Sequence, residues 1–280
     1  MFVSFRDSFT SEAITAVQPL RPLVAMLFLF FVLLGSAAEL DSWAAAASRA
    51  ENFSSIPAGT ILPIRLDKPI SVKDTRPDQA IEASIMQDVP LPSGKIPMKT
   101  KAMGTVISVV KDADGTGAQL TFQFTYLEDK KERVPILAFL RAMASFQQVL
   151  SAQMANTGGT DTGSPASWST TILVGGDVRF GDGGKVTHDK ENVGKGVTGG
   201  VLVHISANPA LGCEGPNGAD TLQALWVFSS NACGVYGKKK VKIAHAGKGE
   251  PVGQITLHFE NDDMKLEPGT GFLLRIAPKP

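Results

Sequence analysis

Residues 80–86, Ala-Ile-Glu-Ala-Ser-Ile-Met, alternate apolar and polar side chains, and this period of two constrains the chain more than any other feature in it. Successive side chains of an extended strand point to opposite faces, so such a run buries one face and wets the other only as a β-strand. The pattern extends through residues 56–135. Ile61-Leu62-Pro63-Ile64-Arg65-Leu66, Met103-Gly104-Thr105-Val106-Ile107 and Leu120-Thr121-Phe122-Gln123-Phe124-Thr125-Tyr126 are short apolar runs separated by Gly- and Pro-containing breaks. Pro90 and Pro92 each remove a ladder donor and mark a turn or bulged loop. Asp112-Ala113-Asp114-Gly115-Thr116-Gly117 supplies another turn. The 28 glycines and 17 prolines of the chain fit many turns and few helices. The expected fold is therefore mainly β: an antiparallel β-barrel or sandwich with one amphipathic helix, closed as one barrel or divided into two β lobes.

Ile136, Leu140, Met143, Phe146 and Leu150 recur at spacings of three and four, which predicts the amphipathic helix over 136–155. Its stripe has two readings: packing across a sheet, or an exposed partner surface made of Leu140, Met143, Phe146 and Leu150. Residues 156–166, with Gly158-Gly159 and Gly163, form an expected flexible linker and domain boundary. The second β region, 167–280, holds strand-like runs at 201–205, 225–228, 254–259 and 272–276. A basic segment at 238–242 has the charge expected of a protected edge. Pro268-Gly269-Thr270 echoes Pro57-Ala58-Gly59-Thr60, each ahead of an apolar run that carries one arginine, Arg275 or Arg65. The echo is either a weak internal repeat or the sign that first and last strands pair.

At the N-terminus Arg6 and Arg21 precede the apolar run 23–34, and Gly35-Ser36-Ala37-Ala38 follows it. This is the pattern of a secretory signal, 1–38, with cleavage after Ala38 and the alanines at 44–47 as a second site. The run is short for a helical span of about 20 residues, the competing reading being a retained anchor. Residues 39–55 then form a tether. Export places the two cysteines, Cys213 and Cys233, in an oxidising compartment, where pairing is expected.

Residues 56–135 resemble the β-barrel domain of the TrbI family, envelope-spanning proteins of conjugative and type IV secretion systems. The shared motifs run in order: Pro57-Ala58-Gly59-Thr60, Ile70-Ser71, Gln87-Asp88-Val89, Ile96-Pro97, Gly104-Thr105-Val106 and the alternating run 120–126. The resemblance implies a barrel, an envelope location and a terminal strand that returns to the barrel. The long Pro-rich segment of that family has no counterpart between Ala38 and Ile56. Fold and location are therefore implied, and secretion activity is not.

Charge and motifs narrow the function. Lys+Arg and Asp+Glu both number 27, which leaves no cationic excess for nucleic-acid phosphates. No Gly-x-Ser-x-Gly elbow occurs, and Gly194-Lys195-Gly196-Val197-Thr198-Gly199-Gly200 lacks the spacing of a phosphate loop. Of His188, His204, His245 and His258, the second and fourth fall inside strand patterns as sheet residues, and His188-Asp189-Lys190-Glu191 reads as a polar loop short of the three or four ligands in defined geometry that zinc needs. No catalytic, cofactor or metal residue is assigned. The expectation is an exported, non-enzymatic cell-envelope protein, structural or binding, located in the periplasm, outer envelope or extracellular space. Its partners would be envelope proteins or itself, and the membrane would meet it only through an uncleaved signal segment. A secreted hydrolase with a site assembled from separate strands, and a component of a type IV secretion-like complex, are the alternatives.

Overall fold

The computed structural model describes residues 56–278 except 131, 157–170, 177, 180–183, 189, 216–220, 247–250 and 262–263. The signal segment with Ala38, the tether and nearly all of the linker lie outside the described residues. Before the helix come β1 (Ile61–Leu66), β2 (Ile70–Ser71), β3 (Ala80–Ile85), β4 (Val89–Leu91), β5 (Gly94–Ile96), β6 (Lys101–Lys111), β7 (Ala118–Asp129), β8 (Glu132–Pro135) and β9 (Ala138–Ala144). The helix α1 (Phe146–Asn156) follows. After it come β10 (Thr171–Ile172), β11 (Val178–Arg179), β12 (Lys185–His188), β13 (Glu191–Val197), β14 (Gly200–Val203), β15 (Gln223–Ala224) and β16 (Gly234–Tyr236). The last are β17 (Val241–Ile243), β18 (Ile255–Phe259), β19 (Lys265–Leu266) and β20 (Gly271–Ile276).

Ten strands form one sheet in the order β16-β9-β20-β1-β3-β6-β7-β18-β17, with β8 paired to β7. Its pairings are antiparallel except β16 with β9. The first and last strands do pair: β20 lies against β1, with Arg275 opposite Ile61 and Phe272 opposite Ile64. The strands do not sort by the break at 156–166, because β16, β17, β18 and β20 join the sheet begun before it. The outer strands β16 and β17 are consecutive in sequence and lie beside one another without a ladder. Among the described residues no ladder joins them, so the sheet is not a closed barrel. A second sheet takes β10 to β15 in sequence order, and β4–β5 and β2–β19 make two small ribbons.

The two faces of the large sheet carry two cores. Inside the large sheet, Leu62, Ile64, Ile81, Ile85, Phe122 and Phe124 pack with Leu140, Leu257, Phe272 and Leu274. Phe122, Phe124 and Phe272 have ring centroids 6.0–6.5 Å apart, the spacing of favourable aromatic contacts. The second core lies between the other face of β1, β9 and β20 and a layer made by the smaller sheet and α1; it holds Ile61, Ala142, Ala144, Val149, Val201, Val203, Trp226 and Leu273. All six residues of β20 are buried, so its sequence is a nearly continuous apolar run. Phe272, Leu274 and Ile276 face the first core, and Gly271, Leu273 and Arg275 face the second layer.

The helix expected over 136–155 is a correction. Residues Ala138–Ala144 are strand β9, and only Phe146–Asn156 is helical. Leu140 pairs with Leu274 and Ala142 with Leu273, leaving Arg141 as the extra residue of a β-bulge. That insertion returns Leu140 and Met143 to one face at a spacing of three, and so copies a helical period. Leu140 and Met143 are inside the first core and present nothing to a partner. Phe146 and Leu150, on α1, are 40% and 39% exposed.

The run 225–228 is also not a strand. It is a buried turn in which Phe228 N–H donates to Leu225 O and Trp226 adopts φ +54°. Gln87, wholly buried, adds to the backbone bonds that the turn makes with Val174 and Val201: its Oε1 accepts from Trp226 N–H at 2.6 Å and its Nε2 donates to Val201 O at 2.9 Å. Gly200 makes the approach feasible, since a Cβ there would lie 2.2 Å from Gln87 Oε1. A side chain of the β3–β4 connection thus fixes the second layer onto the first sheet.

Candidate functional site

Two arginines interrupt otherwise apolar strands on the face that meets the second layer, and their environments differ. Arg141, 1% exposed, projects from the bulge of β9. Its Nε donates to Ala232 O at 2.9 Å, Nη1 to Glu214 O at 2.7 Å and Nη2 to Ser206 O at 2.6 Å. Burial, with the neighbouring Arg275 charge adding to it and Tyr236 opposing it, pushes the guanidinium down to about 10, so it remains a cation at neutral pH.

The carbonyls it gathers flank the disulfide. Cys213 and Cys233 are bonded, with Cα atoms 6.0 Å apart and a sequence separation of 20. Both are buried. Asn208 and Cys213 exchange backbone hydrogen bonds, and Asn208 Nδ2 donates to Asn231 O at 3.1 Å. Arg141, the bridge and these turns form one internal scaffold beneath the second layer.

Arg275 is 5% exposed, and no hydrogen bond or carboxylate partner holds its guanidinium among the described residues. Its Cζ lies 6.0 Å from the Phe139 ring centroid, at the outer limit of a cation–π contact. The guanidinium lines a cavity of about 360 Å³ at the seam between the two layers. One wall is Pro57-Ala58-Gly59-Thr60, anchored by Gly59 N–H to Ile276 O and Ile276 N–H to Thr60 O, both 2.9 Å. Gly59, at φ +86°, turns this segment past the arginine; a Cβ on it would stand 4.0 Å from Arg275 Nη2. The β4–β5 ribbon gives Pro90, Leu91 and Pro92, and the second layer gives Ile205, Gly215, Leu222 and Gln223. Gly215 follows Glu214, so the Arg141 clamp also positions this wall.

Other groups singled out by sequence do not converge. His188 lies in β12, His258 on the exposed face of β18, and His204 and His245 outside strands. Among the described residues no three His, Cys, Asp or Glu side chains could hold a metal ion, and no helix is long and apolar enough to cross a membrane. Gly194 and Gly200 belong to the β13–β14 hairpin, not to a strand–loop–helix cradle. The site arginines escaped the sequence reading, although each carries a visible signal: it is the sole polar residue of a fully buried strand. No family model, curated protein or solved structure matches this chain.

Proposed function

We propose that this protein is an exported, non-enzymatic binding module of the cell envelope, whose ligand site is the seam cavity at Arg275. The observation that carries the reading is a buried cation, with no counter-charge among the described residues, on the wall of a cavity within the usual size range of small-molecule sites. Among the described residues no histidine, cysteine or carboxylate lines the cavity: its walls are aliphatic, proline, glycine, threonine and glutamine besides Arg275. A pocket of this composition holds and orients; it does not move protons. The buried disulfide supports the exported location, since such bridges persist in oxidising compartments. In this reading the large sheet acts as a barrel-like scaffold, and the second layer completes the site.

The location is tested on protein recovered from the exported fraction. Intact mass should give a mature chain starting near Glu39, and non-reducing peptide mapping should recover the peptides of Cys213 and Cys233 linked. A chain retaining Met1 in the cytoplasmic fraction, with two alkylatable thiols, would sink the reading.

A further inference from the structure

We propose that the Arg275 cavity takes an apolar monocarboxylate, a single carboxylate on an aliphatic or aromatic body, which the guanidinium grips through two parallel N–H···O bonds. The inference rests on the binding-module reading and names the chemistry of its ligand.

Charge comes first. Among the described residues Arg275 is the only ionisable side chain lining the cavity, and its single positive charge matches one negative charge. Its planar fork fits a carboxylate in a bidentate manner, and few hydrogen-bonding groups of a buried guanidinium are ever left unused. The contrast with Arg141, whose guanidinium is capped by three carbonyls, shows that the same fold can satisfy a buried arginine internally.

The remaining side-chain donors suit a carboxylate better than a phosphate-like ligand. A dianionic phosphate spreads its charge over several oxygens and needs donors to each. Thr60 spends its hydroxyl proton on Pro57 O at 2.7 Å. Gln223 spends one of its two amide protons on Thr221 Oγ1 at 3.1 Å, and its Oε1 accepts from Ile61 N–H at 3.2 Å. Pro57, Pro90 and Pro92 have no N–H to offer. Besides the guanidinium, the Thr221 hydroxyl proton and the second Gln223 amide proton stay uncommitted among these side chains. The body of the ligand meets a different chemistry: Leu91, Ile205, Leu222 and the proline rings present apolar surface, which favours an apolar chain or ring.

The carboxylate can come from a free small acid or from the C-terminus of a peptide. Titration calorimetry on the purified full-length exported protein separates these sources, using hexanoate and acetyl-Ala-Ala-Leu with a free C-terminus. Hexan-1-ol, the C-terminal amide of the peptide and inorganic phosphate are the comparison probes. At least one carboxylate probe should bind, and its neutral counterpart should bind at least about tenfold more weakly, because a charge-assisted bidentate pair is lost. Arg275→Met should weaken the carboxylate by a similar factor, and Arg275→Lys should recover only part of it, since an ammonium lacks the fork. Leu222→Trp, which fills the cavity and leaves the arginine in place, should abolish binding. If neither variant folds, the acid-against-neutral comparison on the wild-type protein still decides. Phosphate binding more tightly than both acids, hexan-1-ol matching hexanoate, or unchanged affinity in Arg275→Met would overturn the carboxylate assignment and leave a binding cavity standing. No binding of any probe would overturn both.

Discussion

Replacing Arg141 by Met tests whether the internal scaffold is held as described. The substitution keeps most of the side-chain length and removes every donor. Three carbonyls lose their partner: that of Ala232 is in a buried residue, and those of Ser206 and Glu214 are in half-buried and exposed ones. The buried group costs about 1–3 kcal/mol and the other two about 1–2 kcal/mol each, so the gross loss is roughly 3–7 kcal/mol. One effect opposes it. Burial lowers the guanidinium to about 10, and each factor of ten in its proton affinity is worth about 1.4 kcal/mol, so removing the buried charge returns about 3 kcal/mol. The net expectation is a loss of roughly 2 kcal/mol. Arg141→Lys should fare no better, because one ammonium cannot reach three acceptors arranged for a fork.

Urea unfolding followed by Trp fluorescence measures the loss, and a double-mutant cycle with Cys213→Ala/Cys233→Ala locates it. Without the bridge, the segments that carry the three carbonyls can turn them toward water, so Arg141→Met should then cost at least about 1 kcal/mol less. Additivity within about 0.5 kcal/mol, or a single-variant loss under that figure, would refute the account of Arg141 as the clamp of the disulfide region.

Leu140→Ala should cost about 2–5 kcal/mol, since it empties a strand position of the first core, whereas Leu150→Ala on the exposed helix surface should cost less than about 1 kcal/mol; melting curves compare the two. Asp88 gives a pH-dependent test. Its hydrogen bond from Lys95, then that from Met98 N–H at 2.8 Å, hold its carboxyl below the ordinary carboxylate range. A folded-state value below the unfolded one, about 3.9, stabilises fully above that value, and the contribution is lost as pH falls through the lowered one. Asp88→Asn should therefore reduce stability slightly at pH 7, by under about 1 kcal/mol for so exposed a pair, and the difference should vanish in acid once the carboxyl is protonated in the folded state. An equal effect at both pH values would show that the carboxylate charge is irrelevant.

Period-two alternation made β3, β6, β7 and β18 legible, because each has one face on the first core and the other wetter. The cysteine pairing followed from export and count. Where two faces are buried, alternation disappears, and β9 then reads as a helix because its bulge shifts the phase by one residue. The turn 225–228 was unreadable for another reason: its backbone bonds go to scattered partners, Val174, Val201 and the side chain of Gln87, which is well over a hundred residues away in sequence. The site suffered most, since its walls come from four separated segments, and single-sequence patterning carries no information on which of them meet.

The position of Arg275 follows from register. Phe272, Leu274 and Ile276 lie in the first core, and Phe272 stacks with Phe122 at 6.1 Å. A slip of β20 by one residue would drive the guanidinium into that aromatic core and expel three large apolar side chains, each worth about 1.5–3 kcal/mol of burial. Pairing with β1 on one side and β9 on the other excludes the slip twice. The arginine is therefore fixed at the seam by residues that never touch a ligand, and it cannot be retracted when the cavity is empty. A buried cation with no counter-charge among the described residues costs stability in the free protein. A matching anion meets a strand already in register, so little backbone ordering is left to oppose binding.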